Sequence, residues 1–318
     1  MQAEIQMFRE TIALKMNPFG PSFPAGPQVA SGFAFLKDLD RMPLRLDQCP
    51  DLLGPLFCER ILDLETQMER FYGLMNERGY MFGNDAARST DSALVLIRGA
   101  MGSGKTTLGA KMIAEMARLP GGPWASFHVP EPAEDTDPAR LAALERLRDS
   151  VARVPAGTHV AALVENVSAA SLAAAIARFN ELQDWPRLFV LTTHNLKLLD
   201  ADERLMGGAA RIEVFTLRQI TPADADAYVL HRLPQYRDPH RPEIEELSPV
   251  FPFPPGLAGR FVQRGADVAG VPVVMRQLNT HFRRKLAEHA TRLRARPNHV
   301  SVEKAPPAAL AGYLLPEV

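Results

Sequence analysis

One eight-residue run limits the architecture of this chain more than any other feature. Residues 99–106 read Gly-Ala-Met-Gly-Ser-Gly-Lys-Thr, a match to G-x-x-x-x-G-K-[ST]. The run follows the apolar segment Leu94-Val95-Leu96-Ile97 and opens a stretch with Leu108, Met112, Ile113 and Met116 at helical spacing. A strand that turns through glycines directly into a helix belongs to a parallel sheet, because the helix carries the chain back across it. The glycines let successive backbone N–H groups point at phosphate oxygens, and the helix start adds its dipole and unpaired amides. Lys105 supplies a point charge for the β and γ phosphates, and the Thr106 hydroxyl completes a Mg²⁺ shell. The expected ligand is ATP with Mg²⁺, held by Gly99, Ala100, Met101, Gly102, Ser103, Gly104, Lys105, Thr106 and the neighbouring Thr107.

Four more short apolar runs accompany Ala93–Arg98: Trp124–Val129, His159–Glu165, Arg187–Thr193 and Arg211–Leu217. Helical patterns fall over 52–78, 105–119, 139–153 and 168–183. None of the 27 prolines interrupts a strand run; they cluster instead at Pro18–Pro27, Pro120–Pro138 and Pro234–Pro255, where a residue that breaks ladders acts as punctuation. The pattern predicts an α/β fold with a mostly parallel sheet covered on both faces. Beyond Thr221 the strands stop. Ala223–Leu233 and Val274–Arg296 are the clearest helical segments there. The expected division is an N-terminal helix and proline-rich arm over 1–50, an α/β domain over 51–220, a small all-helical domain over 221–296 and a tail over 297–318. With 46% hydrophobic and 23% charged residues, the chain can bury a core, which excludes disordered and collagen-like classes.

Parallel sheets place their chemistry at the carboxyl ends of strands. Glu165 closes the run Val160–Val164 and is the candidate acid for Mg²⁺, with Asn166 next to it. Thr193 and Asn195 end the following strand, and Asn195 is the preferred residue for orienting the attacking water or sensing the γ-phosphate; His194 between them is expected to be a bystander.

Taken together, these pieces resemble the AAA+ ATPases, in particular their initiator-like and STAND-type branches. The resemblance spans roughly 17–290. It rests on Asn17-Pro18-Phe19, the Gly99–Thr106 loop, Leu163-Val164-Glu165-Asn166, Leu191-Thr192-Thr193-His194-Asn195, and Val214–Leu217 leading through Thr221-Pro222 to Tyr228–Leu233. It implies strand order 5-1-4-3-2, a helical lid, and a homo-oligomeric ring or filament with ATP between subunits.

The chain departs from that pattern in two places. The family usually carries Asp then Glu where this chain has Glu165 then Asn166. With Glu165 on Mg²⁺, Asn166 stands at the base position, and an amide positions water but cannot accept its proton. With Glu165 as base, Val164 stands at the Mg²⁺ position. Slow hydrolysis is expected either way. Gly270-Val271-Pro272-Val273 resembles the family's G-x-P-R with valine at the arginine slot, leaving Arg276 as the substitute lid sensor. Arg211 is the preferred trans-acting arginine, with Arg204 second.

A net charge of -1 gives no global attraction for polyanions. Residues 271–296 nevertheless carry Arg276, Arg283, Arg284, Lys285, Arg292, Arg294 and Arg296 against Glu288 alone, which marks a place for DNA. No run approaches the ~18 apolar residues of a membrane span, and two cysteines, Cys49 and Cys58, fit a reducing, cytoplasmic setting. Ala308–Leu315 is expected to dock on a neighbouring subunit. The leading expectation is an ATP-dependent switch or matchmaker that assembles, engages a partner and hydrolyses slowly. The alternative is a DNA-associated ATPase subunit resembling transposition-regulator or loader ATPases.

Overall fold

The computed structural model describes residues 2–15, 17–19, 37–38, 44–45, 57–77, 92–117, 124–131, 136–182, 187–199, 212–237, 244, 248–269, 272–297 and 300–315. The chain forms two compact units. One contains Ala25–Phe57 and Asp63–Arg218; the other contains Met1–Pro24, Cys58–Leu62 and Gln219–Val318.

The first unit is built on a sheet. Strands β1 (Lys37–Asp38), β2 (Leu44–Arg45), β3 (Ala93–Arg98), β4 (Trp124–Val129), β5 (His159–Val164), β6 (Arg187–Thr193) and β7 (Ile212–Thr216) alternate with helices α2 (Leu64–Glu77), α3 (Lys105–Ala117), α4 (Asp137–Val151) and α5 (Ala169–Glu181). The five long strands are all parallel, in the order β4-β5-β6-β3-β7. Counted among themselves they run 2-3-4-1-5, the expected 5-1-4-3-2 seen from the opposite edge. Two-residue β1 (parallel) and β2 (antiparallel) both pair with β4. They are too short for any periodicity to signal.

Successive side chains on each strand serve opposite faces. On one face Leu94, Leu96, Phe127, Val160, Ala162, Phe189 and Leu191 pack with Leu144 and Leu147 of α4 and Leu172 and Phe179 of α5. The other face receives α3 so closely that a Cβ on Gly109 would lie 2.8 Å from Leu163 and 3.0 Å from Val190. Helix starts follow from their caps. The Thr136 hydroxyl accepts from the Ala139 N–H and a proline opens the first turn of α4, while Ser168 and Ser171 form a reciprocal capping box for α5. Of the helix expected over 52–78, residues 52–56 and 78 lie outside the described residues; α2 starts at Leu64, because Leu62 and Asp63 take left-handed φ values of 55° and 56° that no helix accommodates.

The second unit is helical. It comprises α1 (Gln2–Ile12), α6 (Pro222–Gln235), α7 (Leu257–Ala269), α8 (Met275–Arg294) and a 3-10 turn at Pro307–Tyr313. Its core joins distant segments through rings: Phe19 lies 5.6 Å from Phe282 and 5.9 Å from Phe253, which is itself 4.9 Å from Phe282. Asn17-Pro18-Phe19 is tied in by hydrogen bonds as well. Asn17 Nδ2 donates to the Arg283 carbonyl and Arg232 Nε to the Pro18 carbonyl. The C-terminal segment, expected to dock on a neighbour, packs on its own unit instead. Leu310 and Leu315 are buried, the Leu315 N–H donates to the Pro252 carbonyl, and His289 Nε2 lies 2.7 Å from the Tyr313 carbonyl. No helix among the described residues is long and apolar enough to cross a membrane.

Candidate functional site

At the carboxyl end of β3 the chain turns into the glycine loop. A Cβ on Gly99 would sit 2.6 Å from the Ser103 hydroxyl and 3.2 Å from Leu217, so a larger residue would push the loop off the sheet. Gly102 and Gly104 hold φ values of 77° and 99°, open to glycine and strained for other residues. Together these positions curl the backbone so that α3 starts at Lys105.

Lys105 is almost fully buried, and its ammonium donates to the Gly99 and Ala100 carbonyls, both at 2.8 Å. Its third contact is His194 Nδ1 at 2.9 Å. An ammonium has only donors, so Nδ1 must be the acceptor, and the neutral imidazole carries its proton on Nε2. Burial, helped by the Lys105 charge, lowers the His194 pKa and keeps that ring neutral. Burial also brings Lys105 down to about 8, against the opposing pull of Glu131 and Glu165. His194 is therefore not the bystander expected from sequence.

The carboxyl end of β5 supplies Glu165 and Asn166, and β4 supplies a partner to each. His128 Nε2 lies 3.0 Å from Glu165 Oε1. Asn166 Nδ2 donates to Glu131 Oε1 at 2.6 Å. The pairing follows from parallel register, which sets His128 opposite Leu163 and Val129 opposite Val164. Asn166 leaves the strand with φ 51°, a left-handed conformation that asparagine tolerates better than most residues. Its N–H donates to the Thr192 hydroxyl and its carbonyl accepts from Arg140 Nε. The second Glu131 oxygen faces His194 Nε2 at 3.8 Å, too far for a hydrogen bond.

Structure thus gathers Lys105, Glu165 and Asn166 from the predicted residues and adds His128, Glu131 and His194. Thr106 and Thr107 lie in the first turn of α3. Asn195 is exposed, and its Oδ1 accepts the Lys197 N–H in a local turn. The buried Thr193 hydroxyl donates to the Val167 carbonyl. Arg276 is exposed in the first turn of α8, and Val273 is buried against Gly265. Arg204, Arg211, Gly270, Val271, Cys49 and Pro21, Pro24 and Pro27 lie outside the described residues. Cys58 is a buried free thiol whose pKa burial raises.

No family model and no curated protein matches the sequence. Solved structures do match the fold. Orc1 of Aeropyrum pernix, solved in complex with DNA, superposes with a TM-score of 0.51 at 14% identity, over 81% of this chain and 66% of that one. The chain has the AAA+ fold. A Trip13 complex from Escherichia coli MS115-1, solved with HORMA and CdnC, gives a TM-score of 0.48 at 14% identity over 87% of this chain and 96% of that one. The residues around the glycine loop can be weighed against a metal. Thr106 and Glu165 offer hard oxygen donors suited to Mg²⁺, which keeps several waters and shares its shell with substrate phosphates.

Proposed function

We propose that the protein is an ATP-binding switch or matchmaker of the AAA+ type. ATP-dependent self-assembly into a ring or filament engages a partner protein, and slow hydrolysis resets the state. The observation that carries this reading is the contrast within one site. The glycine loop and its buried Lys105 are complete, whereas the position beside Glu165 holds Asn166, whose N–H, carbonyl and side-chain amide are each engaged in a hydrogen bond with a neighbouring side chain. A site built to bind outruns a site built to turn over.

The residues divide the work accordingly. Gly99 to Thr107 hold the phosphates, and Lys105 swings its charge from two carbonyls and His194 onto them. Thr106 and Glu165 would hold Mg²⁺, which would screen phosphate charge. Asn166 orients water and Asn195 senses the γ-phosphate. Arg276 serves as lid sensor and Arg211 reaches ATP on a neighbouring subunit. A cytoplasmic location fits these ligands. Light scattering with ADP against a non-hydrolysable ATP analogue tests the reading: a rise in mass with the analogue alone is expected. Equal mass in both states, or brisk turnover by an isolated monomer, would sink it.

A second reading, a DNA-associated ATPase subunit, is favoured by α8, where Arg276, Arg283, Arg284, Arg292 and Arg294 are all exposed while Leu278, Phe282, Leu286 and Leu293 are buried. It requires salt-dependent DNA binding that is lost when Arg283 and Arg284 are both changed to Glu.

A further inference from the structure

We propose that Glu131 is the water-activating carboxylate of this site, supplied by the end of β4 where β5 offers only Asn166. This inference rests on the ATPase reading above and names the residue responsible for its turnover. Three observations converge on it. Asn166 cannot take a proton, and it is buried at 9% exposure with N–H, carbonyl and side chain all engaged. Glu131 is bound to that same amide at 2.6 Å, and its side chain is 37% exposed, so it reaches solvent water while held at the site. One carboxylate oxygen is occupied by Asn166; the other is held 3.8 Å from His194, the residue that caps the Lys105 ammonium. Glu131 also acts electrostatically on Lys105, which places its charge at the phosphate end of the loop.

Glu165 is the less suitable base. Its carboxylate is paired with His128 at 3.0 Å, and with Thr106 it forms the donor set that suits the metal. The step is then simple. A water oxygen attacks the γ-phosphorus, its proton passes to the Glu131 oxygen that faces His194, and the bond from the γ-phosphorus to the β,γ-bridging oxygen breaks to release ADP and inorganic phosphate. Asn166 positions Glu131, an exchange of duties between amide and carboxylate across two adjacent strands.

Glu131→Gln in the full-length chain is the decisive variant, because glutamine can still accept the Asn166 hydrogen bond but cannot take the proton. Single-turnover hydrolysis of Mg-ATP and binding of a fluorescent ATP analogue are measured together, with circular dichroism to check folding. Hydrolysis is expected to fall by about 100-fold or more, with binding close to wild type. The exchanged pair, Glu131→Gln with Asn166→Asp, should regain part of the rate, since aspartate also tolerates the left-handed backbone at 166. Equal turnover in wild type and Glu131→Gln overturns the inference, and so does a wild type that binds ATP without hydrolysing it. A wild type that fails to bind ATP instead overturns the nucleotide reading itself.

Discussion

Lys105 carries a buried charge whose three acceptors are all neutral, and that arrangement has consequences that can be measured. Its pKa of about 8 lies below the 10.5 of a free lysine. Between those values the unfolded chain binds more protons than the folded one, so the lysine's contribution to stability improves as pH rises. The stability of wild type relative to Lys105→Met should therefore increase from pH 8 toward 10.5, by up to about 3 kcal/mol; thermal melts of both proteins across that range measure it. ATP binding responds in the opposite sense, because the phosphates need the ammonium. Affinity should be flat below pH 8 and fall above it. Lys105→Ala should weaken ATP binding by ~1.5–3 kcal/mol at neutral pH, the scale of a charge-assisted contact, as read by titration calorimetry. At this scale the glycine loop was fully legible in sequence, since each position answers a local backbone or charge requirement. Glu131 and His194 were not. They reach the site because β4 and β6 flank β5, and a motif that is local in sequence carries no record of which strand ends will be neighbours.

Helices and their junctions show the same division between local and assembled information. The helical reading of Ala223–Leu233 corresponds to α6, which starts with Thr221 as its cap and Pro222 in its first turn. Its third residue does more than a cap. Asp224 is buried, with Oδ2 accepting the Thr221 N–H and hydroxyl and Oδ1 accepting the Leu62 N–H across 162 positions of sequence. Asp224→Ala would leave the buried Leu62 N–H without its acceptor and remove the cap partner of Thr221, and should cost roughly 1–3 kcal/mol, visible as a lower midpoint in urea denaturation. Helix α7 was missed for a physical reason. Gly259 and Gly265 each lower helix propensity by about 1 kcal/mol relative to alanine, yet both are required by packing. A Cβ at 259 would lie 3.0 Å from the Pro222 carbonyl, and Gly265 lies against Val273. The buried Ala258 and Val262, one turn apart, were the surviving signal.

For the molecule as a whole, the placement of the N-terminal segment matters most. Phe8, Ile12, Leu14 and Phe19 are all at most 2% exposed, and the Val302 N–H donates to the Glu10 carbonyl. The segment is thus core material of the helical unit. Deleting residues 1–19 should lower the thermal stability of the helical unit and expose Phe253 and Phe282 to solvent. Dye binding to apolar surface and limited proteolysis after Gln219 would record both effects. One more consequence follows from the chain's path. The helical unit draws on Met1–Pro24 and Gln219–Val318, with nearly all of the sheet encoded between them. A ribosome emits residues in order at ~5–20 per second, so α1 must wait for its partners while the sheet-bearing unit is synthesised and can already close. During that interval Phe8, Ile12 and Phe19 have no native surface to cover them, and a chaperone that shields apolar segments of the nascent chain would find its target there.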